Sequence, residues 1–334
     1  MKKSYFLMAA AATMFAACTQ ADFVNEIPET EQAIGFESFV GKSTRAEITV
    51  VEDLEKEGGK LYVWGYKTDA TSAVTQIFGN TDATGTEVYF DDNAATKWNY
   101  ADKKYWDKES TYDFYAVAPA APTGVTYKLN SSKKILIEGA TSASATTATD
   151  YLIDRAGNIG HQGKDGGIVK FDFNHVMTKV TVKVLCSEAL DGKNAVLTDL
   201  TMSNWNANAG NFTQELTAAP DNAKYNDEWE IETPGTAGSA AYLTGGEVAL
   251  NKTTPQVLGS WIIVPQDVAA LKFTVSFKVG TETFLAHVGT MTEKQEWGAD
   301  AHYTYTITVG PDAIEFDVNS VNNWVISDGS LSIE

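Results

Sequence analysis

Short runs in which apolar and polar residues alternate recur from Ala46 to the C-terminus, and this pattern limits what the chain can fold into. A period of two, carried by β-branched and aromatic residues, is typical of half-buried β-strands. Gly, Asn, Asp and Thr fill the gaps, and few segments keep helical spacing for long. The chain is therefore predicted to be all-β and built from β-sandwiches. The clearest runs are 61–66, 112–117, 169–173, 179–184, 273–279 and 303–309.

The N-terminus has the pattern of an export signal. Lys2 and Lys3 precede a short apolar run that ends in small residues directly before Cys18. Such a run describes a secretory signal, and a cysteine in that place resembles a bacterial lipobox. The lipobox resemblance implies cleavage before Cys18 and a diacylglyceryl group on its sulfur. Residues 1–17 are predicted to be a signal peptide and not a membrane span, because a spanning helix needs about 20 apolar residues.

Composition argues against several kinds of function. The net charge of −19 disfavours binding to nucleic acid, and it also disfavours binding to anionic lipid through a basic patch. Apart from Cys18 the only thiol is Cys186, which lies in a strand pattern and is expected to be a buried hydrophobe. The four histidines stand at no metal-ligand spacing, and no phosphate loop or Gly-x-Ser-x-Gly motif is present. We therefore expect no metal, no cofactor and no enzymatic activity.

Several motifs are informative through their order along the chain. Each is weak by itself, but together they span almost the whole sequence. They are Thr44-Arg45-Ala46 after the lipobox; Lys97-Trp98, Lys104-Tyr-Trp106 and Tyr112-Asp-Phe-Tyr-Ala-Val-Ala-Pro119; Asp150-Tyr-Leu-Ile-Asp154 and Val169-Lys-Phe-Asp-Phe-Asn-His175; Ile262-Ile-Val-Pro-Gln266; and Trp297-Gly, Tyr303-Thr-Tyr-Thr-Ile, Ile314-Glu-Phe316 and Val321-Asn-Asn-Trp324.

In this order the motifs resemble the fimbrillin family, the type V pilins of the Bacteroidetes, which includes major and minor fimbrillins and Mfa-like proteins. The resemblance implies two tandem β-sandwich domains of transthyretin-like topology. We expect a propeptide at 18–45, an N-terminal domain at 46–165 and a C-terminal domain at 166–334. The boundary falls in a small-residue and Gly-rich region that disfavours regular structure.

The resemblance also implies a function, that of a pilus subunit supporting adhesion. Family members are exported as lipoproteins, and an arginine-specific protease cuts in the loop that follows the first strand. Loss of that strand opens a groove, which a strand from the C-terminal region of a neighbouring subunit fills by β-strand addition. The expected partners are other pilin subunits, the protease, and the outer membrane through the N-terminal lipid. The mature protein is expected in a cell-surface pilus, as a stalk, tip or accessory subunit.

On this sequence the removable strand is expected at 33–40 and the cut between Arg45 and Ala46. Only two of the 25 Lys and Arg residues are arginines, Arg45 and Arg155, and alanine follows both. Arg45 is favoured because it lies in a loop between two candidate strands, where proteolysis concentrates. The alternative is that Arg45 is an ordinary surface residue with no role in processing. The strand residues are Ile34, Phe36, Phe39 and Val40, and the candidate donor residues are Ile314, Phe316, Val318, Leu331 and Ile333.

A surface glycan-binding β-sandwich lipoprotein is the alternative function. Exposed aromatic rings can stack on sugars, whereas large aromatic side chains more often fill cores. A pilin would depend on cleavage at Arg45, while a glycan binder would stay monomeric. The aromatic residues concerned are Trp98, Tyr100, Tyr105, Trp106, Trp205, Trp229 and Trp261.

Overall fold

The computed structural model describes residues 32–40, 54–56, 58–94, 97–160, 167–214, 228–231, 237–283, 287–291 and 295–323. Apart from the single helical residue Leu54, the regular structure within these ranges consists of β-strands, which confirms the predicted all-β class. None of these residues belongs to a helix that could cross a membrane. The strands up to the middle of the chain are β1 Gly35–Val40, β2 Lys60–Thr68, β3 Val74–Phe78, β4 Thr86–Phe90, β5 Trp98–Asn99, β6 Thr111–Ala118, β7 Thr126–Leu129, β8 Ile135–Ala140, β9 Ala143–Ser144, β10 Leu152–Gly160 and β11 Ile168–His175.

The remaining strands follow His175 after two linking residues, Val176 and Met177. They are β12 Thr178–Cys186, β13 Ala195–Asn206, β14 Gly210–Thr213, β15 Trp229–Ile231, β16 Ala237–Leu243, β17 Val248–Ala249, β18 Gln256–Ile263, β19 Gln266–Val268, β20 Lys272–Val279, β21 Glu282–Thr283, β22 His287–Thr290, β23 Gln295–Trp297, β24 Ala301–Val309 and β25 Ile314–Asn323.

An eight-stranded sheet organises the first half of the chain. Its strands pair in the order β1-β11-β10-β6-β2-β4-β5, and β3 pairs with β2. The two ends of this sheet approach each other, because β1 lies against β5 and Ala33 forms an antiparallel bridge with Tyr105. The sheet therefore curls around an apolar core, and β1 is the strand that closes the curl. We call this core the inner core; it includes Leu61, Val63, Phe114 and Phe171.

The central strands of this sheet are buried on both faces, which explains why their sequences are almost continuously apolar. In β6, Phe114 and Ala116 belong to the inner core, whereas Tyr115 and Val117 belong to a second core on the opposite face. A four-stranded sheet in the order β15-β14-β8-β7 covers that second core.

The second half of the chain is a two-sheet sandwich. A five-stranded sheet, β25-β24-β12-β18-β9, faces a six-stranded sheet of β16, β13, β20 and β21 with β17 and β22 attached. Alternation along β12 places Val180, Val182 and Val184 in the core between them. A small pair of strands, β19 and β23, adjoins this sandwich.

Strand pairing crosses the division predicted at 165/166 in two places. β11 lies after that point, yet it pairs with β1 and β10 in the eight-stranded sheet. β14, also from the second half, pairs with β8 of the first half. The Gly-rich stretch that suggested the boundary thus connects two neighbouring strands of one sheet, β10 and β11. The division into two tandem domains at that point stays a prediction.

A buried histidine and two aspartates lie where the two halves meet. The Nδ1 atom of His175 is 2.8 Å from Oδ2 of Asp150, and both side chains are almost inaccessible. Asp300, in the turn before β24, donates its backbone N–H to the Met177 carbonyl at 3.0 Å. Burial raises the pKa of the Asp300 carboxyl to about 6, with His175 acting to lower it and Asp150 to raise it. The folded protein therefore holds a proton on Asp300 more tightly than the unfolded chain does.

Asp300→Asn is expected to stabilise the protein at neutral pH and to have little effect near about pH 4. The stability contributed by the neutral carboxyl is complete below the ordinary pKa of 3.8 and is lost as the pH rises through about 6. Asparagine stays neutral and tolerates the positive φ of 53° found at this position. Denaturant unfolding at neutral pH should show a gain in the free energy of unfolding on the order of 2 kcal/mol. A lower midpoint at neutral pH would mean that the charged carboxylate is required; Asp102→Asn, at an exposed position, is the control.

Candidate functional site

β1 is held in the fold by backbone hydrogen bonds at an edge of the eight-stranded sheet. It runs parallel to β11, with Gly35 opposite Ile168 and Val40 opposite Phe173. A parallel pair is unusual in this largely antiparallel sheet, and it places the N-terminal strand beside a strand more than a hundred residues later. Beyond the bridge at Ala33, the far edge of β1 has no strand partner among the described residues.

The start of β1 is hydrogen-bonded on both sides. On one side the Ile34 N–H donates to the Lys104 carbonyl at 2.8 Å, and the Trp106 N–H donates to the Gln32 carbonyl at 3.0 Å. On the other side the Gly35 N–H donates to the Gly167 carbonyl at 2.9 Å. These bonds use only the backbone of the strand. Any extended segment could therefore satisfy them, so they fix direction and register but not sequence.

Gly167 and Trp106 shape the place where β1 begins. The indole Nε1 of Trp106 donates to the Gly167 carbonyl at 3.0 Å, next to the bond from Gly35. Gly167 has a φ of +86°, and a Cβ there would lie 2.6 Å from the Gln32 amide and 2.9 Å from Trp106 Nε1. Only glycine suits this position, because the side chains around β1 approach the backbone so closely.

Tyr100 provides a further anchor for the backbone of β1. Its hydroxyl donates to the Ile34 carbonyl at 2.7 Å and accepts the Lys104 N–H at 3.2 Å. Burial raises the pKa of the Tyr100 phenol, although the hydrogen bond with the Lys104 backbone acts in the opposite direction. The hydroxyl therefore keeps its proton and remains a donor throughout the physiological pH range.

Ile34, directly before β1, and Phe36, within it, place their side chains in the inner core. They are 1% and 5% exposed, so the alternation of this short strand separates a buried face from an outer one. Four aromatic rings surround Phe36, and we call them the ring pocket. Its members, with their centroid distances from Phe36, are Phe78 at 5.3 Å, Tyr100 at 5.6 Å, Phe114 at 5.8 Å and Phe171 at 5.9 Å.

The ring pocket is assembled from distant parts of the chain. Phe78 ends β3, Tyr100 follows β5, Phe114 lies in β6 and Phe171 in β11. Three of the four contacts are edge-to-face and Phe171 is stacked, both of which are favoured arrangements of aromatic pairs. Sequence reasoning did not predict this pocket, because no local motif links residues that far apart.

The outer face of β1 makes weaker contacts. The Glu37 carboxylate is 3.8 Å from Lys170 Nζ, and both side chains are about two-fifths exposed (42% and 43%). Exposed pairs of this kind typically contribute about 0–1 kcal/mol. Among the described side chains of this segment, Ile34 and Phe36 therefore hold it in place more strongly than the Glu37–Lys170 pair does, and the backbone bonds act with them.

The remaining predicted strand and donor residues divide between β1, β25 and the part of the chain outside the described residues. Phe39 and Val40 lie in β1, with their backbones opposite Asp172 and Phe173. Ile314, Phe316 and Val318 lie in β25, which pairs antiparallel with β24 at the edge of the five-stranded sheet. Outside the described residues lie Cys18, Arg45, Ala46, Leu331 and Ile333.

Arg155, the other arginine in the sequence, is part of β10. Its backbone lies opposite Tyr115 in the β10–β6 ladder. A nitrogen of its guanidinium donates to Asp113 Oδ1 at 3.2 Å, and the group lies 5.5 Å from the centre of the Tyr115 ring. Both backbone and side chain of Arg155 are thus engaged in the folded sheet.

The aromatic residues considered for glycan binding do not form an exposed platform among the described residues. Tyr105, with 53% of its surface exposed, is the one clearly exposed ring in that set, and it bridges to Ala33. The structure therefore favours core packing as the role of these residues. Trp98, Tyr100, Trp106 and Trp205 are buried, whereas Trp229 and Trp261 are half-buried.

A chain of two hydroxyls and an imidazole crosses the five-stranded sheet. Thr181 Oγ1 lies 2.7 Å from Ser260 Oγ and 2.8 Å from His302 Nε2. Burial lowers the pKa of His302 to about 4, and Lys179 and Lys183 act in the same direction. Such a weakly basic ring is poorly suited to activate a nucleophile near neutral pH. Within the described ranges, no three His, Cys, Asp or Glu side chains come together as a metal site.

Phe36→Ala is expected to lower the free energy of unfolding of the uncleaved chain by about 3 kcal/mol, the usual loss for a buried phenylalanine. The loss has two causes, the empty ring pocket and the weakened closure of the eight-stranded sheet. Denaturant unfolding measures it. Glu37→Ala, on the outer face of the same strand, is the matched control and should change stability by about 0–1 kcal/mol. Equal effects of the two substitutions would contradict the burial of Phe36.

Comparison with known proteins connects this fold to fimbriae. The fimbrillin-like family profile matches residues 44–324. A curated relative, the fimbrium subunit Fim1C of Phocaeicola vulgatus, is 25% identical in an alignment of 201 positions that covers 54% of this chain and 50% of that protein. The chain thus matches about half the length of this relative.

Solved structures share the fold at low sequence identity. A fimbrial protein from Bacteroides vulgatus has a TM-score of 0.59 at 16% identity, over 87% of this chain and 99% of its own. A candidate cell adhesion protein from Bacteroides ovatus has a TM-score of 0.51 at 14% identity, over 89% of this chain and 99% of its own. The profile match extends over most of the sequence and confirms the resemblance seen in the motifs: the chain belongs to the fimbrillin-like family.

Proposed function

We propose that this chain is a structural subunit of a cell-surface fimbria that supports adhesion and assembles by strand exchange after cleavage at Arg45. Family membership and the likeness to a fimbrium subunit support the structural role. The observation that carries the assembly step is the position of β1. This strand lies at the N-terminal end of the described chain and at a sheet edge, yet it fills the ring pocket of the inner core.

The proposed pathway begins with export as a lipoprotein. The signal at 1–17 is removed, Cys18 receives the lipid, and the precursor is held at the outer membrane by its N-terminus. Phe36 and Ile34 occupy the inner core during this stage, and the edge of β11 is paired with β1. A paired edge does not offer a template to other chains, so the precursor stays monomeric in transit.

Cleavage after Arg45 by an arginine-specific protease then separates the segment containing β1 from the rest of the chain. When the segment leaves, the ring pocket empties and the carbonyls of Lys104 and Gly167 lose their donors from β1. The result is a groove lined with aromatic rings and edged with unpaired backbone groups. Such a groove accepts an extended segment by β-strand addition.

The incoming segment comes from the C-terminal region of a neighbouring subunit. Ile314, Phe316 and Val318 of β25 are candidates because β25 is an edge strand, with β24 as its single hydrogen-bonded strand partner among the described residues. Leu331 and Ile333 are the other candidates. Exchange of this kind joins each subunit to the next, so the partners are further fimbrial subunits and the final location is the cell surface.

The choice between the two arginines has a structural basis in Arg155. A protease binds its substrate as an extended, accessible segment, which requires a stretch of chain free from other pairing. Arg155 is fixed in the β10–β6 ladder and paired with Asp113. Cleavage at Arg155 would need local unfolding of a central sheet, so Arg45 is the favoured site.

Arg45→Lys is expected to prevent processing and polymerisation by an arginine-specific protease while leaving the fold intact. Lysine keeps the positive charge, so a change in charge does not explain the effect. The purified precursor would be digested with the protease, the new N-terminus identified by mass spectrometry, and polymers detected as denaturation-resistant ladders. The unmodified chain should begin at Ala46 and form ladders.

Arg155→Lys is the matched control, and it should be cut and polymerise like the unmodified chain. Ladders from the uncut Arg45→Lys variant would contradict protease gating. Cleavage between Arg155 and Ala156 of the folded chain would contradict the structural argument for the choice of site.

A further inference from the structure

The sequence of β1 is repeated near the C-terminus. Residues 33–37 read Ala-Ile-Gly-Phe-Glu, and residues 313–317 read Ala-Ile-Glu-Phe-Asp. The pattern Ala-Ile-x-Phe followed by an acidic residue occurs at these two places and nowhere else in the chain. The first copy begins just before β1 and the second just before β25.

Each position that the two copies share has a defined role in or next to β1. Ile34 and Phe36 are buried in the inner core, and Phe36 fills the ring pocket. Glu37 faces Lys170 on the outer side at 3.8 Å. Ala33 bridges through its backbone to Tyr105 and is itself exposed. The groove thus selects two apolar residues spaced by one and favours an acid after them, whereas position 33 contributes only its backbone.

β25 holds its copy of the pattern in a different setting. It runs antiparallel to β24, with Ile314 opposite Val309 and Phe316 opposite Ile307. Ile314 is 9% exposed and belongs to the core of the two-sheet sandwich. As an edge strand, β25 can separate from β24 without breaking the ladder between any other two strands.

We propose that β25 of a second copy of this chain takes the place of β1, parallel to β11, with Ile314 at the site of Ile34, Phe316 in the ring pocket and Asp317 facing Lys170. This inference rests on the proposed strand exchange and adds its register and partner. The Lys104 and Gly167 carbonyls and the Tyr100 hydroxyl, which bind the backbone of β1, would bind the backbone of β25 in the same way. Because donor and groove lie in one sequence, the chain can assemble with itself.

The two copies differ in the choice of acid at the last position and in the residue between isoleucine and phenylalanine, and the second difference is tolerable. Glu315 takes the place of Gly35, where a Cβ would lie 3.3 Å from Cγ1 of Ile168. Ile168 is 36% exposed, so its side chain can turn toward solvent by the few tenths of an ångström that are needed. Ordinary residues at position 315 are therefore accepted, with a small cost relative to glycine.

The test uses the full-length protein, before and after cleavage at Arg45, and fluorescent peptides in a binding titration. One peptide covers residues 31–40 and the other covers 311–320. Both are expected to bind the cleaved protein and displace the cut segment, and neither should bind the uncleaved protein, whose groove is filled. Mass spectrometry of the complex follows the displacement.

Variants of the 311–320 peptide test the register. Phe316→Ala should weaken binding at least tenfold because the ring pocket stays empty, whereas Glu315→Gly should bind at least as tightly as the parent. Asp317→Lys should weaken binding a few-fold, and Lys170→Glu in the protein should restore it. If Phe316→Ala binds like the parent peptide, the proposed register is wrong.

The two peptides distinguish failure of this inference from failure of the proposed function. Binding of the 31–40 peptide without binding of the 311–320 peptide would overturn the β25 register while supporting a groove opened by cleavage. Binding of neither peptide, with the cleaved protein unchanged in stability, would overturn the groove itself.

Discussion

The packing of Phe36 against four aromatic rings is the interaction on which the first half of this structure depends. The rings belong to β3, β6, β11 and the turn after β5, so one side chain from an edge strand joins the two ends of a curled sheet. Removing a central strand would destroy such a fold, whereas removing an edge strand opens it. β1 combines the burial of a core strand with the position of an edge strand.

The proposed assembly pathway requires that combination, because β1 must stabilise the precursor and still be replaceable by another strand. Burial of Ile34 and Phe36 is worth about 1.5–3 kcal/mol for each side chain, enough to keep β1 in place while it is covalently attached. In the proposed pathway, cleavage would leave the contacts of β1 unchanged but would turn β1 into a separate segment. That segment would then compete with other strands at their actual concentrations, and a strand of the same pattern carried by another subunit would replace it.

The sequence predicted the strands better than their arrangement. Period-two alternation identified β2, β6, β11, β12, β20 and β24 because each has at least one face buried in a core. The Gly-rich stretch after β10 favours a domain boundary, which stays a prediction, because turn residues mark the connection between neighbouring strands such as β10 and β11 whether or not a domain ends there. The pairing of β14 with β8 has no local signal in the sequence, since strands whose paired residues lie seventy or more positions apart meet only when the sheet assembles.

The candidate site was predictable in part for a similar reason. Ile34 and Phe36 stand out by their alternation, whereas Phe78, Tyr100, Phe114 and Phe171 become a pocket only after the sheet has curled. The backbone acceptors Lys104 and Gly167 carry no side-chain signature for this role at all. The repeat of the β1 pattern at 313–317 was visible in the sequence, but its meaning needed the contacts of each position in β1.

The most direct test of the account is a high-resolution structure of the assembled polymer, examined at the position parallel to β11. Strand exchange predicts that this position holds a strand from the C-terminal region of a neighbouring subunit, with an aromatic side chain between Phe78, Tyr100, Phe114 and Phe171. A polymer in which residues 33–38 of the same subunit still occupy that position would contradict strand exchange as the basis of assembly.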